Sequence, residues 1–184
     1  MRTGRLLLCL SLLGAPLPAA AATHPFTVRD LIAMERIGDP QPSPDGRRVV
    51  FTRRVYDEGD GASFTCLWIT GLDGGEPRRL TAARASDLHP RWSPDGKRIA
   101  FISDRSGTTQ IWTIDPSGGE ARRLSDFPID VDNVEWSPDG TRLLFSAEVE
   151  PDCDTLACTA GRLRAREAGG IKARLHERVP VRHW

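Results

Sequence analysis

The sequence predicts an all-β fold, a partial β-propeller that is incomplete and unclosed, with two complete four-stranded blades and the start of a third. Three observations predict it: a turn tetrapeptide that occurs three times, an internal period of 44 residues, and short runs of β-branched and aromatic residues between the turns. Four antiparallel strands in about 40–45 residues are typical of a propeller blade. Because a propeller closes with about four to eight blades, we expect this chain to be the N-terminal part of a longer protein.

The repeated tetrapeptide is Ser-Pro-Asp-Gly, at residues 43–46, 93–96 and 137–140. The second and third copies are 44 residues apart, and the same offset relates Trp68 to Trp112 and Trp92 to Trp136. The first two copies are 50 residues apart, because six extra residues fall in the polar stretch 56–63. In each turn, proline fixes φ at the first central position, aspartate tolerates the second, and glycine adopts the left-handed conformation that follows.

Each unit is predicted to contain four strands in order. The first strands end at Pro42, Trp92 and Trp136, and the second strands cover residues 48–52, 98–103 and 142–146. In the second unit, a polar loop leads to a third strand at residues 110–114, and a Gly-Gly turn leads to a fourth at residues 120–124. The second and third strands are rich in β-branched and aromatic residues, as buried strands are. The fourth mixes charged and apolar residues, which is typical of an outer edge.

The N-terminal residues 1–22 have the three-part organisation of a secretory signal peptide. Arg2 and Arg5 precede an apolar stretch at residues 6–17, and small residues follow at 18–22. The apolar stretch is shorter than the roughly 20 residues that span a bilayer. We therefore expect a cleaved signal, a periplasmic or secreted protein, and no membrane span after cleavage; the competing interpretation is a buried N-terminal helix.

Disulfides form in the oxidising compartment that export implies, so Cys153 and Cys158 are a candidate disulfide and Cys66 is expected to be unpaired. A zinc site is the competing interpretation, but His24, His89, His176 and His183 are scattered without a chelating spacing. We expect no metal and no cofactor. With 25 Lys and Arg against 25 Asp and Glu, the chain also lacks the basic excess of a nucleic-acid-binding protein.

The repeat resembles the WD-like propeller shared by periplasmic Tol-type proteins and by prolyl-oligopeptidase-family serine peptidases. Residues 26–46, with Asp39-Pro40-Gln41 before the first tetrapeptide, are similar to the start of the mature peptidase chain. Residues 145–153 and 181–184 are similar to later segments of bacterial dipeptidyl and acylaminoacyl peptidases. The resemblance implies an N-terminal segment at 23–40 with a short helix, blades at 41–150, and an insertion or linker at 151–184. It implies a propeller that restricts a peptidase to short peptide substrates.

The family's catalytic residues have no counterpart in this chain. Its serine nucleophile lies in Gly-x-Ser-x-Gly in a C-terminal α/β-hydrolase domain, whereas Ser63, the serine that follows a glycine by two positions, precedes Thr65. We therefore assign no catalytic, cofactor-binding or metal-binding residue here and expect no activity from this chain alone. The alternatives are a periplasmic Tol-type scaffold without catalysis and a gene fragment without a function of its own.

Several conspicuous side chains have a structural interpretation that we prefer to a functional one. The four repeated tryptophans are expected to pack between blades, and Asp45, Asp95 and Asp139 to stabilise their own turns. Asp104 and Arg105 are expected to make a local ion pair or turn contact. Glu148 and Glu150 remain open, because acidic residues hold the substrate's amino terminus in some members of the resembling family.

Overall fold

The computed structural model describes residues 25–57, 59–82 and 84–169, so the predicted signal at 1–22 and the segment 170–184 lie outside it. The elements are α1 (Val28–Ala33), β1 (Arg36–Pro42), β2 (Arg48–Tyr56), β3 (Ser63–Gly71), β4 (Arg78–Arg79), β5 (Asp87–Trp92), β6 (Ile99–Ser103), β7 (Gln110–Ile114), β8 (Arg122–Arg123), β9 (Asp132–Trp136), β10 (Leu143–Ser146) and α2 (Leu156–Ala168). The strands form two four-stranded antiparallel sheets, β1-β2-β3-β4 and β5-β6-β7-β8, and a two-stranded sheet of β9 and β10. The predicted all-β, unclosed blade arrangement is confirmed.

The Ser-Pro-Asp-Gly turns join the first and second strand of each sheet with the same geometry. In the first turn, the Gly46 amide donates to the Ser43 carbonyl at 2.9 Å, and the Ser43 amide donates to the Arg48 carbonyl at 2.8 Å. Gly46, Gly96 and Gly140 have φ of 67°, 68° and 68°. Glycine adopts this left-handed conformation without the steric cost that a Cβ atom imposes, so each turn ends at a glycine.

The six extra residues of the first unit lengthen a hairpin. β2 and β3 pair in continuous register from Arg48 opposite Gly71 to Tyr56 opposite Ser63, and both strands have nine residues. The corresponding strands of the second sheet have five residues each. The insertion therefore adds paired backbone to the first blade and leaves the remaining register of the repeat unchanged.

The fourth strands are shorter than predicted. Residues 120–124 were expected to form a strand, but β8 contains Arg122 and Arg123 alone. At its end the Ile111 amide donates to the Ser125 Oγ at 2.9 Å, and in the first sheet the Leu67 amide donates to the Thr81 Oγ1 at 3.0 Å. Because a side-chain hydroxyl replaces the backbone carbonyl that would continue the ladder, the strand ends there.

The core lies between the sheets, in two clusters that share β6. Ile99 and Phe101 face a cluster with residues of β2 and β3, whereas Ala100 and Ile102 face a cluster with residues of β9. All five residues of β6 are buried. A strand covered on both faces needs apolar residues at successive positions, which accounts for the uninterrupted run Ile-Ala-Phe-Ile.

The third sheet is followed by a helix. Thr155 caps α2 by accepting a hydrogen bond from the Cys158 amide at 3.2 Å, and a disulfide joins Cys158 to Cys153. Within the described residues, none of the helices has the length and apolar character that crossing a bilayer requires.

Candidate functional site: the inner row

The first strands of the three sheets lie on the side where the sheets converge. β1 contacts β5, and β5 contacts β9, while each of these strands lies at the edge of its own sheet. In a propeller the blades converge on a central channel. The exposed edges of β1, β5 and β9 therefore form the part of this molecule that corresponds to a channel wall.

Each first strand carries a non-glycine residue in the left-handed conformation at the same repeat position. The φ angles are 44° at Asp39, 50° at His89 and 51° at Asn133. The pairing register shifts at Asp39 and His89, between Gly38 and Gln41 and between Leu88 and Arg91. A positive φ is uncommon outside glycine and enriched in Asp, Asn and His. Bulges of this kind re-aim side chains, so the strands turn these three residues out of the regular alternation.

Arg91 links the three sheets through two carboxylates. Its Nη1 lies 3.0 Å from Asp39 Oδ2 on β1, and its Nε lies 2.5 Å from Glu135 Oε1 on β9. Burial opposes the charge of the guanidinium, but hydrogen bonds to Glu135 and Asp39 outweigh burial and raise the pKa of Arg91 above its ordinary value. Arg91 is therefore a permanent cation held between neighbouring blades.

His89 makes a second link across the same three strands. Its Nδ1 lies 3.6 Å from Asp39 Oδ2, and its Nε2 lies 3.3 Å from Asp132 Oδ1. We call the six residues of this edge the inner row. They are Asp39, His89, Arg91, Asp132, Asn133 and Glu135. They present carboxylates, an imidazole, an amide and a guanidinium, which donate and accept hydrogen bonds.

In the described ranges no three His, Cys, Asp or Glu side chains lie close enough together to hold a metal ion. The inner-row carboxylates are engaged by Arg91 and His89. The described side chains of the row therefore pair with one another across the three strands.

Two tryptophans link neighbouring first strands through hydrogen bonds to backbone carbonyls. The Trp92 Nε1–H donates to the Gln41 carbonyl at 3.0 Å, and the Trp136 Nε1–H donates to the Arg91 carbonyl at 3.1 Å. Trp92, Trp112 and Trp136 also pack against the inter-sheet clusters, as expected. Trp68 lies instead under the Arg53 guanidinium, 4.1 Å from the ring centre.

The three turn aspartates act within their turns. Asp139 Oδ1 accepts hydrogen bonds from the Ser137 hydroxyl at 2.6 Å, the Thr141 amide at 3.0 Å and the Thr141 hydroxyl at 2.8 Å. These bonds lower its pKa to about 2. The pKa values of Asp45 and Asp95 are lowered in the same way, first by the hydroxyls of Ser43 and Ser93. Their role is to stabilise the turn.

Asp104 and Arg105 do not pair with each other. Asp104 accepts a hydrogen bond from the Ser86 amide at 2.8 Å. Arg105 Nη2 lies 2.6 Å from Asp87 Oδ1, and the Asp87 side chain is fully buried. The second oxygen of Asp87 has no hydrogen-bond partner. Asp104 and Arg105 thus each make a local structural contact.

Glu148 and Glu150 contact an arginine of α2. Arg166 Nη1 lies 3.6 Å from Glu148 Oε1, and Arg166 Nη2 forms an ion pair with Glu150. Glu150 is largely buried, with 17% of its side chain exposed, whereas Glu148 is 74% exposed. Their described contacts therefore tie the segment after β10 to α2.

The inner row was not identified from the sequence, although the repeat contained a signal for it. His89 and Arg91 precede Trp92 by three and one positions, and Asn133 and Glu135 precede Trp136 by the same distances. The identities of these residues differ from unit to unit, so a comparison of identical residues passes over them. Comparing polar character at equivalent positions would have found them.

The sequence of this chain is similar to those of known propeller-containing proteins. Residues 64–156, about half of the chain, match the sequence profile of the tricorn protease N-terminal β-propeller domain. The uncharacterized peptidase YuxL of Bacillus subtilis is 37% identical over 84 residues, which are 45% of this chain and 12% of that protein. This chain thus spans about an eighth of that relative.

Two solved structures are also similar. The acylaminoacyl peptidase of Pyrococcus horikoshii is 26% identical with a TM-score of 0.52, over 68% of this chain and 19% of the peptidase. A putative TolB from Agrobacterium tumefaciens is 26% identical with a TM-score of 0.51, over 66% of this chain and 41% of that protein. With converging blades, repeated turns and the match over half its length, the chain belongs to the family of the tricorn protease N-terminal β-propeller domain, and is a propeller portion related to those of prolyl-oligopeptidase-family peptidases.

Proposed function

We propose that this chain is the N-terminal propeller portion of an exported prolyl-oligopeptidase-like serine peptidase. In the intact protein the propeller covers a hydrolase domain and restricts access to short peptides. The observation that carries the proposal is the inner row, which places polar side chains from three successive blades on the edge that corresponds to the channel wall. The likeness to a protein named as a peptidase supports the same assignment.

The decisive experiment begins with the coding sequence beyond Trp184. An in-frame α/β-hydrolase domain with Gly-x-Ser-x-Gly supports the proposal, and a frame that continues into further blades and then stops contradicts it. The full-length product is then assayed with dipeptide substrates that carry a chromogenic leaving group. Replacing the motif serine by alanine should abolish hydrolysis, while the propeller portion assayed alone should be inactive.

The inner row supplies a second test in the same full-length protein. Glu135→Gln removes one carboxylate from the proposed channel wall, and Asp126→Asn removes an exposed carboxylate that pairs locally with Arg123. If the row contacts entering peptides, Glu135→Gln should change KM for peptides of different length or charge while kcat for the shortest substrate stays unchanged. Asp126→Asn should change neither. Equal KM values for both variants and the wild type would contradict a gating role.

Export is part of the proposal and has its own support. The three-part organisation of residues 1–22 is that of a signal peptide, and the disulfide of Cys153 and Cys158 fits an oxidising compartment. The mass of the protein recovered from the periplasm or the medium should correspond to loss of about 22 residues. Recovery of the full-length mass from the cytosol would contradict export.

A Tol-type scaffold is the second candidate, because the likeness to the putative TolB is about as strong as that to the acylaminoacyl peptidase. This candidate predicts stable association with envelope lipoproteins and no hydrolase domain in the gene. Co-purification from solubilised envelopes, compared with a sample that carries an unrelated propeller, distinguishes the two.

A further inference from the structure

The N-terminal helix and the outer ends of β1 and β2 enclose a cavity of about 430 Å³ that the proposed function does not use. Its apolar wall includes Leu31, Ile32, Met34 and Tyr56, of which 50%, 43%, 58% and 51% of the surface is exposed. No residue of α1 is buried. The helix thus presents apolar side chains to an open cavity instead of to the core.

Two arginines that line this cavity lie directly opposite each other on paired strands. Arg36 and Arg54 are directly opposite in the pairing of β1 with β2, so their side chains share a face, and both line the cavity. Like charges at opposite positions of paired strands are destabilising. Both side chains are exposed, so water screens part of this repulsion, and both guanidinium groups are accessible to a ligand in the cavity.

The described contacts of the two arginines leave their charges uncompensated. Arg54 donates to the Ser63 hydroxyl, with Nη2 at 2.8 Å, and within the described part of the chain neither Arg36 nor Arg54 forms an ion pair. Glu35 also lines the cavity, but its carboxylate is paired with Arg53, which points to the other face of β2. The cavity thus combines an apolar wall with two cationic donors.

We propose that this cavity binds a carboxylate carried on a short apolar chain, with the carboxylate between Arg36 and Arg54 and the apolar chain against α1. Arginine presents its donors in a fork that matches a carboxylate, and the bound anion relieves the repulsion of the pair. A free fatty acid and the C-terminal apolar residue of a peptide share this chemistry. The site is independent of the proposed peptidase function, since it lies on α1 and the outer ends of β1 and β2.

The test is calorimetric titration of the full-length protein with octanoate, octan-1-ol and octylammonium, which share a tail and differ in charge. Octanoate should bind at millimolar concentrations or below, and the other two at least tenfold more weakly, because a hydrogen bond to a charged group contributes about a tenfold factor or more. From butyrate to octanoate the affinity should rise up to about fourfold for each methylene that enters the cavity. Absence of octanoate binding, or equal binding of octanoate and octanol, would overturn the proposal.

Variants assign the binding to the two arginines. Arg36→Gln and Arg54→Gln should each lower octanoate affinity about tenfold, and Arg36→Lys, which keeps the charge, should lower it less. Arg29→Gln is the matched control, because Arg29 lies on α1 and does not line the cavity. Far-UV circular dichroism checks that each variant folds. Wild-type affinity in folded Arg36→Gln and Arg54→Gln would place the ligand elsewhere and overturn the proposal.

A second pair of probes separates the two natural sources of such a carboxylate. An acetylated peptide that ends in leucine is compared with the same peptide amidated at its C-terminus. Preference for the free carboxylate supports the site and assigns it to peptide C-termini, whereas binding of octanoate with no binding of either peptide supports the site and assigns it to fatty acids.

Discussion

At the scale of single residues, the serine and the aspartate of each Ser-Pro-Asp-Gly turn make the same hydrogen bonds in all three repeats. Ser43, Ser93 and Ser137 each donate a hydroxyl hydrogen bond to the aspartate two positions later, and that aspartate accepts a backbone amide at the end of the turn. The turn is thus a closed local unit. Its sequence alone was sufficient to predict it, because every partner lies within five residues.

The lowered pKa of Asp139 predicts a pH dependence of stability. Its pKa in the folded chain is about 2, below the ordinary 3.8. A carboxyl whose pKa is depressed by folding contributes stability that is complete above its unfolded pKa and is lost as the pH falls towards the folded pKa. The contribution of Asp139 should therefore disappear between about pH 4 and pH 2. Carboxyl NMR titration should give a pKa near 2, and Ser137→Ala should raise it.

The buried pair of Asp87 and Arg105 predicts a large effect of one substitution and a small effect of two. Arg105→Val leaves the Asp87 carboxylate buried without a partner, which should cost about 3–5 kcal/mol. The corresponding residues of the next repeat are Val131 and Val149, so the double variant Asp87→Val, Arg105→Val should recover most of that loss. Urea unfolding followed by tryptophan fluorescence measures both; a double variant as unstable as the single one would contradict the assignment.

At the scale of strands and helices, the first strands are where the structure departs from a regular ladder. The left-handed residues Asp39, His89 and Asn133 interrupt β1, β5 and β9, and a residue in such a conformation costs on the order of 1–3 kcal/mol. The cost recurs at three equivalent positions. The contacts of Arg91 and His89 link these strands across the three sheets.

The tryptophans that end β5 and β9 predict unequal effects of the same substitution. Trp92→Phe removes the indole donor to the Gln41 carbonyl in a position that is 9% exposed. An unsatisfied buried acceptor costs about 1–3 kcal/mol. Trp136, which packs at the edge of the second cluster, is less buried, so Trp136→Phe should destabilise the chain less. Chemical denaturation of the two variants tests the order, and a larger loss for Trp136→Phe would contradict it.

The sequence was informative where the determinants are local and uninformative where they are not. The turns and the buried run of β6 follow from neighbouring residues, whereas the helix within 23–40 follows from the family resemblance. The shortened β8 depends on the Ser125 hydroxyl replacing a carbonyl of the ladder, and the inner row depends on three strands converging. Neither of these is a property of one segment, so a pattern along the chain could not predict them.

At the scale of the whole molecule, the last sheet lacks the partners that the middle sheet has. Ile102 of the middle sheet is 1% exposed, whereas Leu144 of β10 is 72% exposed. The sheet β9-β10 has two strands where the others have four. Within the described part of the chain, the third sheet therefore packs against a core on one face alone. An apolar face and an open strand edge of this kind favour aggregation.

This asymmetry predicts marginal stability for the isolated propeller portion, residues 23–184. It should bind a hydrophobic dye such as anilinonaphthalene sulfonate and unfold over a broad range of temperature. The same residues within a protein that supplies the remaining blades should bind less dye and unfold cooperatively at a higher temperature. A sharp, high-temperature transition of the isolated portion would contradict this expectation.

The ion pair of Asp87 with Arg105 lies next to the first blade, where the adjacent Ser86 pairs with Thr65 of β3, whereas Val131 meets the second blade in an apolar cluster. Neighbouring repeats of similar sequence risk exchanging places during folding. A misplaced blade would set a carboxylate against hydrocarbon and leave a desolvation penalty uncompensated. The contrast between the two junctions therefore disfavours an exchange of the two blades.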